Sequence, residues 1–417
     1  MFFEATKALQ IEYEKIVVIV VGLDSCLDIV AKVLPADFEV LREIDPRTYH
    51  EALRHVSTRT GGEVPVEFKV IDEVLSFLRE KGRTIFYNLG GNGAIQVSAL
   101  YSITGGKIPI GFVGIWFKRV VEILKKENYN SVAPFLHVEK LLPADERNMP
   151  VSLVMDYGPE RFILSYGSGR RTPLKPGYSD EEGVLTIIPE LPRVTAGAKI
   201  VSNAGWQAIM AELLLHKKER TLNEFFSALD ETYSKIAKNR MLIIDVGSLL
   251  PYSLEHRKKL FANLYTYSKI LALNETELIE LTEIFEAKGH EIATTKIPSA
   301  VAKRAITILD NAKETETLWI HSADVSYVVT TADYDFELPL RWAAAAGVIR
   351  VETGWYPTYE ECSLRAGEVK IDVEIAGEYR VFVSRNPRAK KAISTVGAGD
   401  TATAGFIYGL CKNFKGE

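Results

Sequence analysis

Cysteine is scarce: Cys26, Cys362 and Cys411 are the three in 417 residues, and they stand far apart. That spacing excludes a disulfide framework and a CxxC metal knuckle, and it suits a reducing compartment. Long hydrophobic runs are missing as well. The strongest, Ile16 to Val21, is too short to span a bilayer. The N-terminus lacks a basic-then-apolar leader with a small-residue cleavage site. The expectation is a cytoplasmic protein without a membrane partner. Excess positive charge is also lacking. The formal net charge is -5, and the basic clusters Lys217–Arg220, Arg257–Lys259 and Lys390–Lys391 are short and lie among acids. They read as solvated helix faces, so no nucleic-acid partner is expected. No strand leads into GxGxxG and no GxxxxGK[ST] occurs, which weakens dinucleotide and P-loop readings. No internal repeat or low-complexity segment is present.

What is present is a chain able to bury a large core, with 47% hydrophobic residues. Its length fits one large domain with an addition, or two moderate domains. Short β-branched runs alternate with amphipathic helical stretches. "KIVVIVVGL" (15–23), "TIFYNLGG" (84–91), "KIPIGFVGI" (107–115), "AKIVSNAG" (198–205), "MLIIDVG" (241–247), "KILALN" (269–274) and "TLWIHSA" (317–323) read as strands. The later ones are each expected to lead into a helix. That alternation predicts an α/β fold with a mostly parallel sheet between helical layers. "MPVSLVMDYGPERFILSYG" (149–167) breaks the rhythm with two extended runs about a Gly-Pro turn, a hairpin signal. A hairpin inserted in an α/β protein commonly forms a flap over a pocket. The reading therefore assigns 1–22, 37–143 and 190–417 to a large domain, and 23–36 with 144–189 to a small β-rich lid.

Four motifs carry candidate chemistry. In "STVGAGDTATAGF" (394–406), Gly397 and Gly399 permit unusual backbone angles ahead of a helix over Thr401–Cys411. Asp400 reads either as a plain N-cap or as a base beside an anion site made by free helix amides. In "LALNETEL" (271–278), Asn274 and Glu277 read as a capping box, or as groups near a hydrated magnesium ion. In "NLGGNGAIQVSAL" (88–100), Gly90, Gly91 and Asn92 make a tight turn or let backbone approach a ligand. In "VGLDSCLDIV" (21–30), Asp24 and Asp28 either cap the next element or accept bonds from sugar hydroxyls.

Taken in order, an acid after the first strand, a GG, an NxxE and a late GxGD resemble the ribokinase-like superfamily. Within it the chain looks most like the archaeal ADP-dependent glucokinase and phosphofructokinase group. It is long, it ends soon after the GxGD helix, and an "RF" hairpin is followed by a basic loop. "SNAGWQAI" (202–209) is similar to that group's turn after a central strand. The resemblance implies a three-layer ribokinase-like sandwich with a lid, acting as an ADP-dependent, AMP-forming kinase. By that resemblance Asp400 is the general base, and the amides of Gly397, Ala398 and Gly399 form the anion hole. Asp24, Asp28, Gly90, Gly91, Asn92 and Arg161 would bind the acceptor; Arg170, Arg171 and Asn274 would serve the donor's phosphates. Glu277 would hold Mg2+ through water. The basic residues near the lid point to a sugar phosphate, ribose 1-phosphate or fructose 6-phosphate, with glucose or a nucleoside as other acceptors. Departures exist. Ala398 gives the GxGD form usual in ATP-dependent ribokinases, which keeps ATP as the rival donor. Asp24 and Cys26 stand where asparagines are usual, and "DVGSLLP" (245–251) replaces an acidic motif. A non-catalytic nucleotide- or sugar-binding regulator is the other class of reading. The oligomeric expectation is a monomer or homodimer.

Overall fold

A computed structural model describes residues 19–22, 26–58, 62–112, 151–157, 161–166, 191–193, 195–206, 210, 219–247, 249, 252–285, 294, 296–393 and 395–415. In chain order the strands are β1 (Ile19–Gly22), β2 (Cys26–Lys32), β3 (Gly62–Pro65), β4 (Ile85–Gly90), β5 (Ile110–Phe112), β6 (Val151–Asp156) and β7 (Arg161–Tyr166). There follow β8 (Ile200–Asn203), β9 (Met241–Asp245), β10 (Ile270–Asn274), β11 (Thr317–His321), β12 (Val325–Thr330), β13 (Ile371–Ala376) and β14 (Tyr379–Arg385). The helices are α1 (Val40–Ile44), α2 (Pro46–Thr58), α3 (Phe68–Glu80), α4 (Asn92–Thr104), α5 (Glu219–Ala237) and α6 (Leu254–Asn263). They continue as α7 (Glu275–Thr282), α8 (Ser299–Asn311), α9 (Glu337–Thr353), α10 (Tyr359–Glu368) and α11 (Ala398–Lys415).

Among the described residues, nine strands form the large sheet in the order β13-β14-β12-β11-β10-β9-β8-β1-β5. The run from β5 to β11 is parallel. Its central members are apolar up to their last residue, and all five residues of β9 and four of the five in β10 are buried. Such strands need helices on both faces, which is why they read as continuous hydrophobic runs. The α/β expectation is met. One detail is corrected: "TLWIHSA" does not lead into a helix. β11 turns directly into β12, which pairs with it antiparallel, and β14 and β13 extend that edge antiparallel. Ser322 closes the turn, accepting from the Val325 amide and donating to its carbonyl.

The smaller sheet holds five strands in the order β3-β7-β6-β2-β4. The expected hairpin is there, with β6 and β7 antiparallel in a register that sets Asp156 opposite Arg161. β2, the stretch after the first strand, pairs parallel with β6. However, β3 and β4 also belong to this sheet, although the sequence reading puts 37–143 with the large one. β4 pairs antiparallel with β2, and β3 runs parallel to β7. The physical reason is that both are short strands whose partners lie far away in sequence. Local alternation cannot report such pairing.

Candidate active site

The parallel strands of the large sheet end along one edge, where Asp245, Asn274 and His321 are the last residues of β9, β10 and β11. β10 ends at Asn274, whose side chain accepts from the Glu277 amide at 2.9 Å while Glu277 accepts from the Asn274 amide at 2.8 Å. The capping box expected from "NETE" is therefore formed. Yet Glu277 is 7% exposed, unlike an ordinary surface cap. Burial, then repulsion from Glu280 and Asp400, raises its carboxyl to about 7 against the pull of the Asn274 hydrogen bonds. Glu280 and Asp400 thus both repel the Glu277 carboxylate.

Asp400 belongs to α11, which begins at Ala398 rather than Thr401. It is therefore not the N-cap that the sequence allowed; it is the third residue of the helix. Gly397 sits just ahead with φ 70°, a conformation that side chains resist. The Gly397 carbonyl accepts from the Thr401 amide at 3.0 Å and the Thr401 hydroxyl at 2.7 Å. Gly399 is exposed and Asp400 is half-buried, so the first turn faces outward. The Ala398 amide is taken up by the Thr395 carbonyl at 3.2 Å; the positive end of the helix dipole and the other amides of the first turn make such a turn receptive to anions.

Small residues let α11 sit deep. A Cβ on Gly405 would run into the Trp342 carbonyl, and one on Gly409 would lie 2.5 Å from the Pro339 Cα. α9 thereby packs directly against α11. On the other side α4 meets the turn: a Cβ on Gly397 would stand 3.2 Å from Ile95 Cδ1. α4 and α11 are also joined through Asp245 at the end of β9. It is 8% exposed and accepts from Gln96 Nε2 and Thr403 Oγ1, each at 3.2 Å. Ser202 of "SNAGWQAI" donates to Gln96 Oε1 at 2.9 Å, and Gly205 takes φ 89° in the turn that follows.

The lid reaches the same loop. Arg161 Nη1 donates to the Thr395 carbonyl at 3.4 Å, and Lys32 Nζ donates to the Ile393 carbonyl at 2.6 Å while pairing with Asp156. Val396 packs with Val30 and Val154 of the lid. Asp28 lies inside the lid sheet, 7% exposed, and accepts from Cys26 Sγ at 3.4 Å. It occupies the space a side chain at Gly90 would need; a Cβ there would also stand 2.5 Å from Cys26 Sγ. Gly91 has φ 86° and is followed directly by α4, which starts at Asn92. Asp28, Gly90, Gly91 and Asn92 are thus joined to the Gly397–Asp400 turn through α4, and Glu277 through its interaction with Asp400. Asp24, Arg170 and Arg171 lie outside the described residues.

Three nearby residues escaped the sequence reading. Asp245 closes the buried strand "MLIID", a signal that was visible. His321 ends β11 beside Asn274 in register, and its ring comes 3.7 Å from the place of a Cβ on Gly399. Burial lowers it to about 4, so it is neutral at ordinary pH. Arg350 of α9 is wholly buried and donates to the Val396 carbonyl at 3.1 Å. Nothing local in "GVIRVETG" announces a buried cation.

Among the described residues no group of three or more His, Cys, Asp and Glu side chains is arranged as a metal cage. No helix there is long and apolar enough to cross a membrane. No protein-family model and no curated protein matches the sequence. Solved structures do match. An ADP-dependent kinase in complex with fructose 6-phosphate and ADPβS superposes with a TM-score of 0.69 at 16% identity, covering 100% of this chain and 98% of that one. A phosphofructokinase from Pyrococcus horikoshii OT3 with AMP gives 0.65 at 15% identity, over 96% and 99% of the two chains. An adenosine kinase from Schistosoma mansoni with 2-fluoroadenosine gives 0.51 at 15%, over 84% and 94%. The fold is thus the ribokinase-like α/β sandwich with a small β-sheet lid. Its likeness to the ADP-dependent kinases extends over nearly the whole chain, as the motif order implied.

Proposed function

We propose that the protein is an ADP-dependent, AMP-forming kinase that phosphorylates a hydroxyl of a sugar or sugar phosphate. The observation that carries this reading is Asp400. It stands half-buried in the first turn of α11 beside the exposed Gly399, and it is electrostatically coupled to the buried Glu277. A carboxylate beside an anion-receptive turn is unfavourable unless it takes a proton there. Full-length likeness to ADP-dependent kinases supports the donor, and Ala398 keeps ATP as the second donor to compare.

The mechanism follows from the residues. The acceptor lies between the lid and the Gly90–Asn92 turn, where Asp28 and Arg161 orient it. Its hydroxyl points at Asp400, which removes the proton as the oxygen attacks the donor's terminal phosphorus and the bond to the bridging oxygen breaks to release AMP, a role worth about 10²–10⁴ in rate. The amides of Gly397, Gly399 and Asp400 hold the phosphoryl oxygens as charge develops, while the Ala398 amide, which donates to the Thr395 carbonyl, fixes the turn. Asn274, and Arg170 or Arg171 from the chain beyond β7, receive the donor's phosphates. Glu277 fits magnesium held through water, because a divalent cation offsets the repulsion of Glu277 by Glu280 and Asp400. When bound, that ion neutralises charge on the donor phosphates. Closure of the lid onto the 393–396 loop excludes water and suppresses donor hydrolysis.

The test is a matrix of ADP and ATP against ribose 1-phosphate, fructose 6-phosphate, glucose and nucleosides, scored by AMP or ADP release. ADP with one sugar acceptor is the expected pair. Asp400→Asn is expected to keep its melting temperature and to lose at least about 10²-fold in kcat. Binding of nucleotide or sugar with no turnover across the matrix would instead establish a regulator.

A further inference from the structure

Arg350 is the feature that the proposed mechanism leaves unused. It lies in the last turn of α9 at 0% exposure, among the largest fully buried side chains of the protein. Its Nε donates to the Val396 carbonyl at 3.1 Å and its Nη1 to the Gly354 carbonyl at 2.7 Å. The guanidinium also lies 4.7 Å from the centre of the Tyr356 ring. Among the described residues its Nη2 has no hydrogen-bond partner and no carboxylate pairs with it. That same Nη2 lies 3.7 Å from the place of a Cβ on Gly397.

A clamp on two carbonyls explains part of this arrangement. Gly354 is the left-handed cap of α9, and arginine commonly satisfies carbonyls at a helix C-terminus. It does not explain an unpaired charge. A buried cation without a counter-ion carries a penalty of several kcal/mol, and a neutral glutamine could bond carbonyls without it. The location supplies the reason. The charge lies directly behind the turn whose amides receive an anion, and low-dielectric surroundings extend its field to that turn.

We propose that Arg350 is a positioning residue for phosphoryl transfer. It fixes the Val396–Gly397 peptide through the Val396 carbonyl, and its buried charge strengthens anion binding at the first turn of α11. The role rests on the kinase reading for its effect on turnover, but not for its effect on anion binding. The anion's negative charge, in turn, compensates the guanidinium when the site is filled.

The experiment uses the full chain and inorganic phosphate as the probe, with Arg350→Met and Arg350→Lys as variants. Phosphate titrations at constant ionic strength are followed by calorimetry. Arg350→Met is expected to lose about 10-fold in phosphate affinity, and Arg350→Lys to retain most of it. With the acceptor found in the donor matrix, Arg350→Met should lose about 10²-fold in kcat, the scale of a misplaced reacting group. Its acceptor KM should stay within about threefold, because the lid holds the acceptor. Arg350→Lys should recover at least about 10-fold of that kcat. A clamp with no charge role predicts equal losses in both variants, and that result overturns the proposal. If Arg350→Met does not fold, nitrogen NMR of the wild-type protein decides. The Arg350 Nε signal must shift with phosphate at the same midpoint as the Gly397 and Gly399 amides, and an unmoved signal refutes the role. Phosphate binding of this kind with no kinase turnover would reject the kinase reading alone. Normal turnover with indifferent Arg350 variants would reject the inference alone.

Discussion

Glu277→Gln tests the electrostatics of the site without using activity. In the native protein Glu277 takes its proton at about 7, against 4.5 in an open chain. Between those values the folded state keeps a proton that the unfolded chain has released. Stability contributed by this group therefore falls as pH rises through that window. At about 1.4 kcal/mol per tenfold change in proton affinity, the loss reaches roughly 3 kcal/mol above neutrality. His321 works in the opposite sense. It binds a proton at about 4 in the native state and at 6.5 when unfolded. Over that window the unfolded chain holds the extra proton, so stability rises with pH by a similar amount. The two dependences nearly cancel in the wild-type chain, and removing one exposes the other. Glutamine is chosen because it also serves at the third position of a capping box. Urea unfolding without magnesium or nucleotide, between about pH 4.5 and about pH 8, is the assay. The stability of Glu277→Gln relative to wild type should climb by roughly 3 kcal/mol across that range. A difference that stays flat means that Glu277 ionises as freely as a surface acid, and the argument for a strained carboxylate fails.

Other perturbations follow from single contacts. Gly90→Ala places a methyl group where Asp28 and Cys26 already pack, so acceptor KM should rise and stability should drop by about 1–3 kcal/mol; an unchanged KM would detach this turn from the acceptor. Gly405→Ala forces α11 away from the Trp342 carbonyl and should destabilise by a similar amount in urea, whereas Gly367→Ala, which meets nothing within 4 Å, should gain up to about 1 kcal/mol. Equal effects of the two would show that α9 and α11 have slack between them. Lys32→Met removes the tie to the Ile393 carbonyl and to Asp156. Amide exchange in β2 and β6 should quicken while exchange in β9 and β10 does not; uniform acceleration would indicate global rather than lid opening.

The parts of this molecule legible in sequence are those fixed by neighbours along the chain. Buried parallel strands such as "MLIID" and "ILALN" are apolar up to their last residue, and the Asn274–Glu277 box spans one helical turn. The lid hairpin was readable because its two strands adjoin in sequence. β4 was readable as a strand, but its place in the small sheet and that of β3 were not, since their pairing to β2 and β7 depends on chain far removed from them. The antiparallel edge formed by β12, β13 and β14 was missed for a related reason: "VSYVVT" signals a strand but not its direction. Asp400 was found through glycines that mark a turn, though its place as the third residue of α11 required coordinates. Arg350 was hidden because a long cation on a helix ordinarily faces water, and only packing reveals the exception.

The segment from Ile393 to Val396 answers to two masters. Lys32 and Arg161 of the small sheet bind its carbonyls at 393 and 395, while Arg350 of the large body binds the carbonyl at 396. A flap exchanged for that of a related protein, as a test of the proposed acceptor site, would therefore pull on the peptide that leads into the helix carrying Asp400. Grafts that carry residues 393–396 along with the new flap should keep their chemistry, and those that leave this short ribbon behind should bind the new substrate and process it poorly.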